Sequence, residues 1–302
     1  MGNLPAFAIL MVVVFLSGCE QRTADKPLLY SNAPASNAAT IYSFAVHPLY
    51  NPQKLFEAYQ PLVDQINHDL KGVQVGLEAS RDYASYEQKF RVRTPAFLLP
   101  NPWQTLEARK VGYHVIAMAG DPEDFKGIFL IRKESDIKVP EDIKGKMVSY
   151  PSATALAAAI MPQYFLYTNG ININRDIQNE YVGSQESSIM NVYLGKSAVG
   201  VTWPPPWRLF QKEHPREAGQ LKVIWQTPSL INNSVMVRDD VPAEISEQVK
   251  KTLLELSNST GGKEILSGMQ TARFIPATDS SYDIVADYIK HFEKVVRPVE
   301  LK

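Results

Sequence analysis

The segment Ser152-Ala153-Thr154-Ala155 carries the chain's most specific chemistry. It follows a short predicted strand, Met147 to Tyr150, and opens a predicted helix that runs to about Thr168 and stops at Asn169-Gly170. At a helix start the free N–H groups and the positive dipole end converge on one point, and short side chains let an oxyanion approach closely. The Ser152 and Thr154 hydroxyls would add donors there, and equally either could cap its own helix. Tyr83, in Asp82-Tyr83-Ala84, and His47, in His47-Pro48-Leu49-Tyr50, are placed for the edge of a cleft. The alternatives are a half-buried packing aromatic for Tyr83 and an ordinary loop residue for His47. In Trp203-Pro204-Pro205-Pro206-Trp207 two aromatics flank a stiff proline turn. They could wall a cleft or dock a partner, or pack the loop onto the protein surface.

Other chemistries find no footing. The chain of 302 residues has one cysteine and five histidines at scattered positions, 47, 68, 114, 214 and 291, so no close metal-ligand spacing occurs and no metal or cofactor is expected. There is no Gly-x-Ser-x-Gly elbow, no phosphate loop ending in Gly-Lys-Ser/Thr and no dinucleotide fingerprint, and the reading is of a binding protein, not an enzyme. Asp239-Asp240 before Val241-Pro242 reads as turn and helix-start chemistry. A net charge of −1 argues against a nucleic-acid partner.

The elements that position these residues alternate between strand and helix. Strands are predicted at Ile41 to Val46, Val73 to Leu77, Ala96 to Leu99 and His114 to Ala117, with helices after Asn51-Pro52, near Asp82 to Val92 and at Trp103 to Lys110. Pro61 should kink the first helix. From Gly127 a second unit repeats the alternation: strands at Gly127 to Arg132, Met147 to Tyr150, Glu180 to Val182, Ala198 to Thr202 and Leu221 to Trp225, with a helix at Ser187 to Leu194. A strand at Ser234 to Arg238 then leads into two C-terminal helices, near Ala243 to Ser257 and Ser280 to Val295. The pattern predicts an α/β protein with mostly parallel sheets covered by helices and a ligand cleft between two units.

Ahead of these units, Leu4 to Leu16 is almost wholly apolar and runs into Leu16-Ser17-Gly18-Cys19. The run is shorter than the roughly 20 residues that span a bilayer as a helix, which favours a signal peptide over residues 1–18. Small residues before the lone cysteine resemble the bacterial lipobox, in which Cys19 receives a diacylglycerol. The polar stretch that follows, within 19–40, reads as a lipidated flexible tether holding a soluble domain at the outer face of a membrane.

In order and spacing, the chain from about Ile41 to Val295 closely resembles the phosphonate-binding protein family, the two-domain solute receptors of phosphonate, phosphite and phosphate importers of the ABC type. The resemblance is carried by Asn51-Pro52, Asp82-Tyr83-Ala84, Ile143-Lys144-Gly145-Lys146, Ser152-Ala153-Thr154, Gly183-Ser184-Gln185-Glu186 and Val223-Ile224-Trp225-Gln226-Thr227-Pro228. It implies a two-lobed Venus-flytrap fold with two hinge crossings, near Phe125 to Gly127 and Ser229 to Ser234. Lobe I would comprise 41–126 and 231–302, and lobe II 127–230. From the residues and the resemblance together, the candidate ligand contacts are Ser152, Ala153, Thr154, Tyr83, Gln185, Glu186, Asn233 and Trp203. The implied function is capture of a small phosphorus oxyanion by a monomeric lipoprotein that delivers it to an ABC permease. A ligand sensor of the same fold, signalling to a membrane kinase or cyclase, is the alternative. Four departures from the family pattern stand out: Leu98-Leu99-Pro100-Asn101 where an aromatic is common, Gln185 where His is frequent, Asn232-Asn233 where an Asp is usual, and the apolar Trp203–Trp207 stretch. With Glu186 the one acidic group assigned nearby, an aminoalkylphosphonate should be disfavoured against phosphate, phosphite or a small alkylphosphonate.

Overall fold

A computed structural model of the protein describes residues 40–300, so the expected signal peptide, Cys19 and all but the last residue of the tether lie outside the described residues. The first unit starts with β1 (Thr40–Val46), which pairs in parallel with β2 (Val73–Glu78) and β3 (Phe97–Leu99). Helix α1 (Pro52–Asp69) begins where Asn51 accepts the Lys54 N–H at 3.1 Å and Pro52 fills the first turn, and it runs unbroken through Pro61. Asp82 caps α2 (Tyr83–Arg91) in the same way, and Asn101 and Gln104 form a reciprocal capping box on α3 (Pro102–Arg109). After β4 (Tyr113–Ala119) the chain leaves this unit.

The second unit contains β5 (Ile128–Arg132), β6 (Met147–Tyr150), α4 (Met161–Thr168), β7 (Gln178–Tyr181), α5 (Gln185–Tyr193), β8 (Val199–Thr202), α6 (Pro204–Glu213), the short α7 (Pro215–Ala218) and β9 (Leu221–Gln226). The chain then returns to the first unit through β10 (Ser234–Arg238), α8 (Ala243–Glu255), α9 (Thr260–Gly268), β11 (Phe274–Ile275) and α10 (Asp283–Val295). The six-stranded sheet has the order β11-β4-β10-β3-β1-β2 and the five-stranded sheet β7-β6-β8-β5-β9. We call the units built on them lobe I and lobe II.

Four expectations need correction. Both sheets are mixed: β10 lies antiparallel between β3 and β4, and β5 lies antiparallel to both β8 and β9. Helix-strand alternation does not reveal where a returning strand inserts. The Pro204-Pro205-Pro206 run is the first turn of α6, not a loop turn, because the first N–H groups of a helix need no partner there. Helix α9 and β11 were not anticipated, since Thr260-Gly261-Gly262 reads as a loop. Ser259 caps α9 through the Gly262 N–H, and a Cβ at Gly262 would sit on the Leu256 carbonyl oxygen, so this close approach admits only glycine. Finally, the helix after Ser152–Thr154 starts later than expected: Ala155 is its cap, and its first turn, Leu156–Ile160, is π-helical before α4 continues it.

One large apolar cluster packs the faces of the six-stranded sheet and extends through Phe125, Leu156, Ile160 and Trp203 into lobe II, while two smaller clusters pack the faces of the second sheet. The crossing segments run side by side: the Thr227 N–H donates to the Gly127 carbonyl at 2.9 Å, the Leu230 N–H to that of Phe125 at 2.9 Å, and the Gly127 N–H to the Thr227 hydroxyl at 2.9 Å. Gly127 presses on the helix start of lobe II, for a Cβ there would lie 2.5 Å from the Ala157 carbonyl oxygen and 2.5 Å from Pro162 Cγ. Gly127→Ala should therefore cost about 1–3 kcal/mol of stability by overpacking; a urea midpoint equal to that of the parent would refute the contact.

Candidate functional site

The carboxyl ends of four strands deliver the site. His47 follows β1, Asn101 lies two residues beyond β3, Trp203 follows β8, and the loop 151–155 follows β6. This is the edge at which α/β sheets place ligands. With Tyr83 from the start of α2, Gln185 from the start of α5, and Phe125 and Asn233 from the two crossings, these groups enclose a cavity against Ala155, Leu156, Ala157 and Ala158. Its free space is about 10 Å³, room for about one water. The lobes are closed on each other.

The N–H groups of Leu156, Ala157 and Ala158 have no partner among the described residues, whereas those of Ala159 and Ile160 both reach the Ala155 carbonyl. The small side chains of Ala155, Ala157 and Ala158 leave these donors accessible from the cavity. Asn233 is 3% exposed, and its Oδ1 has no hydrogen-bond partner. The Gln185 amide donates to the Tyr83 hydroxyl at 3.1 Å and accepts from the Thr202 hydroxyl at 2.8 Å. Burial raises the Tyr83 pKa, so the phenol keeps its proton. Among the described residues, no Lys, Arg, Asp or Glu lines the cavity.

The expected hydroxyl donors are engaged elsewhere. The Thr154 hydroxyl donates to the buried Glu87 carboxylate at 2.6 Å, and the Ser152 hydroxyl lies 3.1 Å from it on the other side. The Thr154 carbonyl accepts from Asn101 Nδ2 at 3.1 Å, and Glu87 also accepts from Gln104 at 3.1 Å. Thr154 is thus a junction between the lobes. Ala153 sits behind it, its carbonyl accepting from Arg297 at 2.8 Å. That guanidinium is 6% exposed, lies over the Phe292 and Tyr181 rings, and also donates to Gln163 and to the carbonyls of Pro298 and Val299. Burial holds its pKa below the ordinary arginine value.

Of the residues singled out in the sequence, Tyr83, Gln185, Asn233, Trp203 and His47 come together around the cavity. Trp203 packs edge-on against Phe125, with ring centroids 5.5 Å apart. Its neighbour Trp207 instead stacks on Phe210 inside lobe II at 5.9 Å. Glu186 lies farther out, pairing with Lys54 of lobe I at 3.3 Å, and Lys54 also pairs with Glu213. Sequence reasoning missed Asn101, Glu87, Arg297 and the N–H groups of Leu156 to Ala158. Only Asn101 had left a sign, in the departure at Leu98–Asn101.

Burial raises the Glu87 pKa above its ordinary 4.5, against the opposing effect of the Thr154 and Gln104 hydrogen bonds. The folded protein therefore holds this proton to higher pH than the unfolded chain, and stability should fall as pH rises from about 4.5 through the raised value. Glu87→Gln should remove that component, so its melting temperature should decline less across the same range. An unchanged decline would mean that another group titrates.

Residues 44–282 match the family described as ABC transporter, phosphonate, periplasmic substrate-binding protein. The probable ABC transporter phosphite binding protein PhnD1 of Prochlorococcus marinus (strain MIT 9301) is 24% identical over 194 residues, which make up 60% of this chain; the chain spans about 65% of the length of that curated relative. Among solved structures, the fold is similar to that of a binding protein component of an ABC phosphonate transporter from Pseudomonas aeruginosa. The TM-score is 0.79 at 17% identity, covering 85% of this chain and 88% of that one. It is also similar to PhnD1 from Prochlorococcus marinus (MIT 9301) in complex with methylphosphonate, with a TM-score of 0.77 at 19% identity, covering 85% and 99%. Among the described residues no helix is long and apolar enough to cross a membrane. Its two sheets, the cleft between them and the match over well over half of its length make one assignment: the chain belongs to the phosphonate-binding family of periplasmic substrate-binding proteins of ABC transporters.

Proposed function

We propose that the protein is the substrate-binding component of an ABC-type importer and captures a small phosphorus oxyanion, such as phosphite, phosphate or methylphosphonate, in the cavity between its lobes. The observation that carries this reading is the bare helix start: three backbone donors at Leu156, Ala157 and Ala158 aimed at a cavity whose other walls are neutral polar groups. Such a set can hold an anion through dipoles without a cation in contact. The Tyr83 hydroxyl and the Asn233 amide complete the donor shell from lobe I and its crossing. A ligand enters when the lobes part about the crossings 120–127 and 227–233, and it is sealed in when they close. Lobe II would extend from 127 to 230 and lobe I over the remainder of 41–302. The cavity has no carboxylate wall for an ammonium group, which supports the expected preference against aminoalkylphosphonates.

The lipid anchor at Cys19 belongs to the same proposal: a receptor that feeds a permease works best when tethered to the permease's membrane. Cys19→Ser should move the protein from the membrane fraction to the soluble fraction, and membrane retention with unaltered mass would exclude lipidation at that residue. The soluble variant then serves for binding. At a hundred times the dissociation constant, the correct oxyanion should stabilise it by about 2.7 kcal/mol, seen as a raised melting temperature. Tyr83→Phe should weaken the ligand by about tenfold or more through loss of one hydrogen bond to a charged group. No shift with phosphite, phosphate or methylphosphonate would refute the oxyanion reading.

A further inference from the structure

We infer that the cleft selects a ligand that itself donates a hydrogen bond, a singly protonated tetrahedral oxyanion of the hydrogen-phosphonate type, and that His47 is the specificity-determining residue that accepts the hydrogen bond of the ligand's hydroxyl at Nε2. The inference rests on the oxyanion reading and deepens it. The His47 ring lines the cavity and is 2% exposed. Its Nδ1 lies 2.9 Å from the Leu99 carbonyl oxygen, which also accepts the His47 backbone N–H at 3.1 Å. A carbonyl can only accept, so Nδ1 carries the hydrogen and Nε2 presents a lone pair as long as the ring is neutral. Burial lowers the His47 pKa to about 4, which keeps it neutral at any physiological pH. Among the described residues the ring's hydrogen bond is the one at Nδ1, and none is formed at Nε2.

The groups packed on the ring do not change this state. Tyr83 and Tyr86 lie edge-on to it, with centroids 6.3 and 6.5 Å away, and both phenols are held in the protonated form by burial. Glu87, on the same helix, turns its carboxylate to Thr154 and Gln104. The second unpartnered acceptor is Asn233 Oδ1. Beside the donors at Leu156 to Ala158 and at Tyr83, the cavity thus offers two unpartnered acceptors, His47 Nε2 and Asn233 Oδ1, on the side of lobe I and its crossing.

Charge leads to the same ligand. The positive field comes from the helix start and from Arg297 behind the loop, and no cation lines the cavity to neutralise a second negative charge. A monoanion that keeps one hydroxyl satisfies both sides. An anion with acceptor oxygens only, such as a sulfonate, would set one of them against the His47 lone pair. Sites built to bond a ligand hydrogen reject the analogue that lacks it.

The test compares methylphosphonate with methanesulfonate, near-isosteric ligands, by titration calorimetry on the full chain carrying Cys19→Ser. Mildly acidic pH gives each ligand one negative charge, and only the phosphonate then retains a hydroxyl. The parent should prefer methylphosphonate by about ten- to hundredfold. His47→Phe should bring the two affinities together, and His47→Gln, which restores an acceptor, should recover part of the preference. Should His47→Phe not fold, Asn233→Leu, which removes the other acceptor, should narrow the same ratio. Equal binding by the parent, a preference for the sulfonate, or a preference that survives both substitutions overturns the inference while leaving the oxyanion reading intact. Binding of neither ligand overturns the inference, and the oxyanion reading falls with it when phosphite and phosphate also fail to bind.

Discussion

The N–H groups of Leu156, Ala157 and Ala158 begin a helix in the interior of the protein, between two lobes, where no carbonyl of the described residues reaches them. Buried donors without acceptors cost about 1–3 kcal/mol each, so the surrounding structure has to keep them bare for a purpose and compensate elsewhere. The π-helical opening turn moves the first intrahelical bonds to Ala159 and Ile160, and alanines at 155, 157 and 158 leave the donors uncovered. Gly127 lets the crossing segment pass directly beneath the Ala157 carbonyl. Lobe II's second sheet, the hinge and the cleft are all arranged around this one helix start.

Closure brings lobe I down on the loop that precedes it. Thr154 is held through its hydroxyl by Glu87 and through its carbonyl by Asn101, the residue whose capping box starts α3, so one turn of lobe I grips one turn of lobe II. Gln185 to Tyr83 adds a third polar link, and Lys54 to Glu186 and Glu213 with Arg208 to Asp124 add ion pairs at the rim. Each of these exchanges a bond to water for a bond to protein: the neutral links are worth about 0.5–1.5 kcal/mol net, the rim pairs no more than about 1, and the bond to the Glu87 carboxylate about 1.5–3. A closed state balanced on such terms is one that a ligand can tip, because it alone satisfies the cavity's unpartnered groups.

The strand and helix alternation was legible because apolar spacing reports which face of an element is buried, and capping residues such as Asn51 and Asp82 mark helix starts directly. What escaped is what depends on partners distant in sequence. The insertion of β10 between β3 and β4 is a property of the hinge's return path. Proline and glycine runs both read as breaks, yet three prolines at 204–206 start a helix and the glycines at 261–262 sit inside one. Around the cavity, Tyr83, Gln185, Asn233 and Trp203 had been singled out in the sequence, Trp203 from its residue type in a stretch that departs from the family pattern. Glu87 had not, because by residue type a glutamate on a short helix reads as solvent-facing, and its partners Gln104 and Thr154 are distant in sequence.

Arg297 was hidden for the same reason, and its position bears on how closure is controlled. It lies just past α10, so it belongs by chain to lobe I, yet its guanidinium grips Gln163 and the Ala153 carbonyl of lobe II, and the Val296 carbonyl nearby accepts from Asn174. The tail is a third connection between the lobes, noncovalent where the two crossings are covalent. It attaches one residue before Thr154, so the loop 151–155 is held by lobe I from two sides: a carboxylate at the Thr154 hydroxyl and a guanidinium at the preceding carbonyl. The two buried charges are opposite in sign and neither touches the cavity. The loop can therefore present neutral backbone donors to a ligand while its own position is set by charge-assisted bonds, which are stronger than neutral ones and intolerant of small displacements. The arrangement separates two tasks: neutral dipoles face the cavity, and charges hold the frame that aims them.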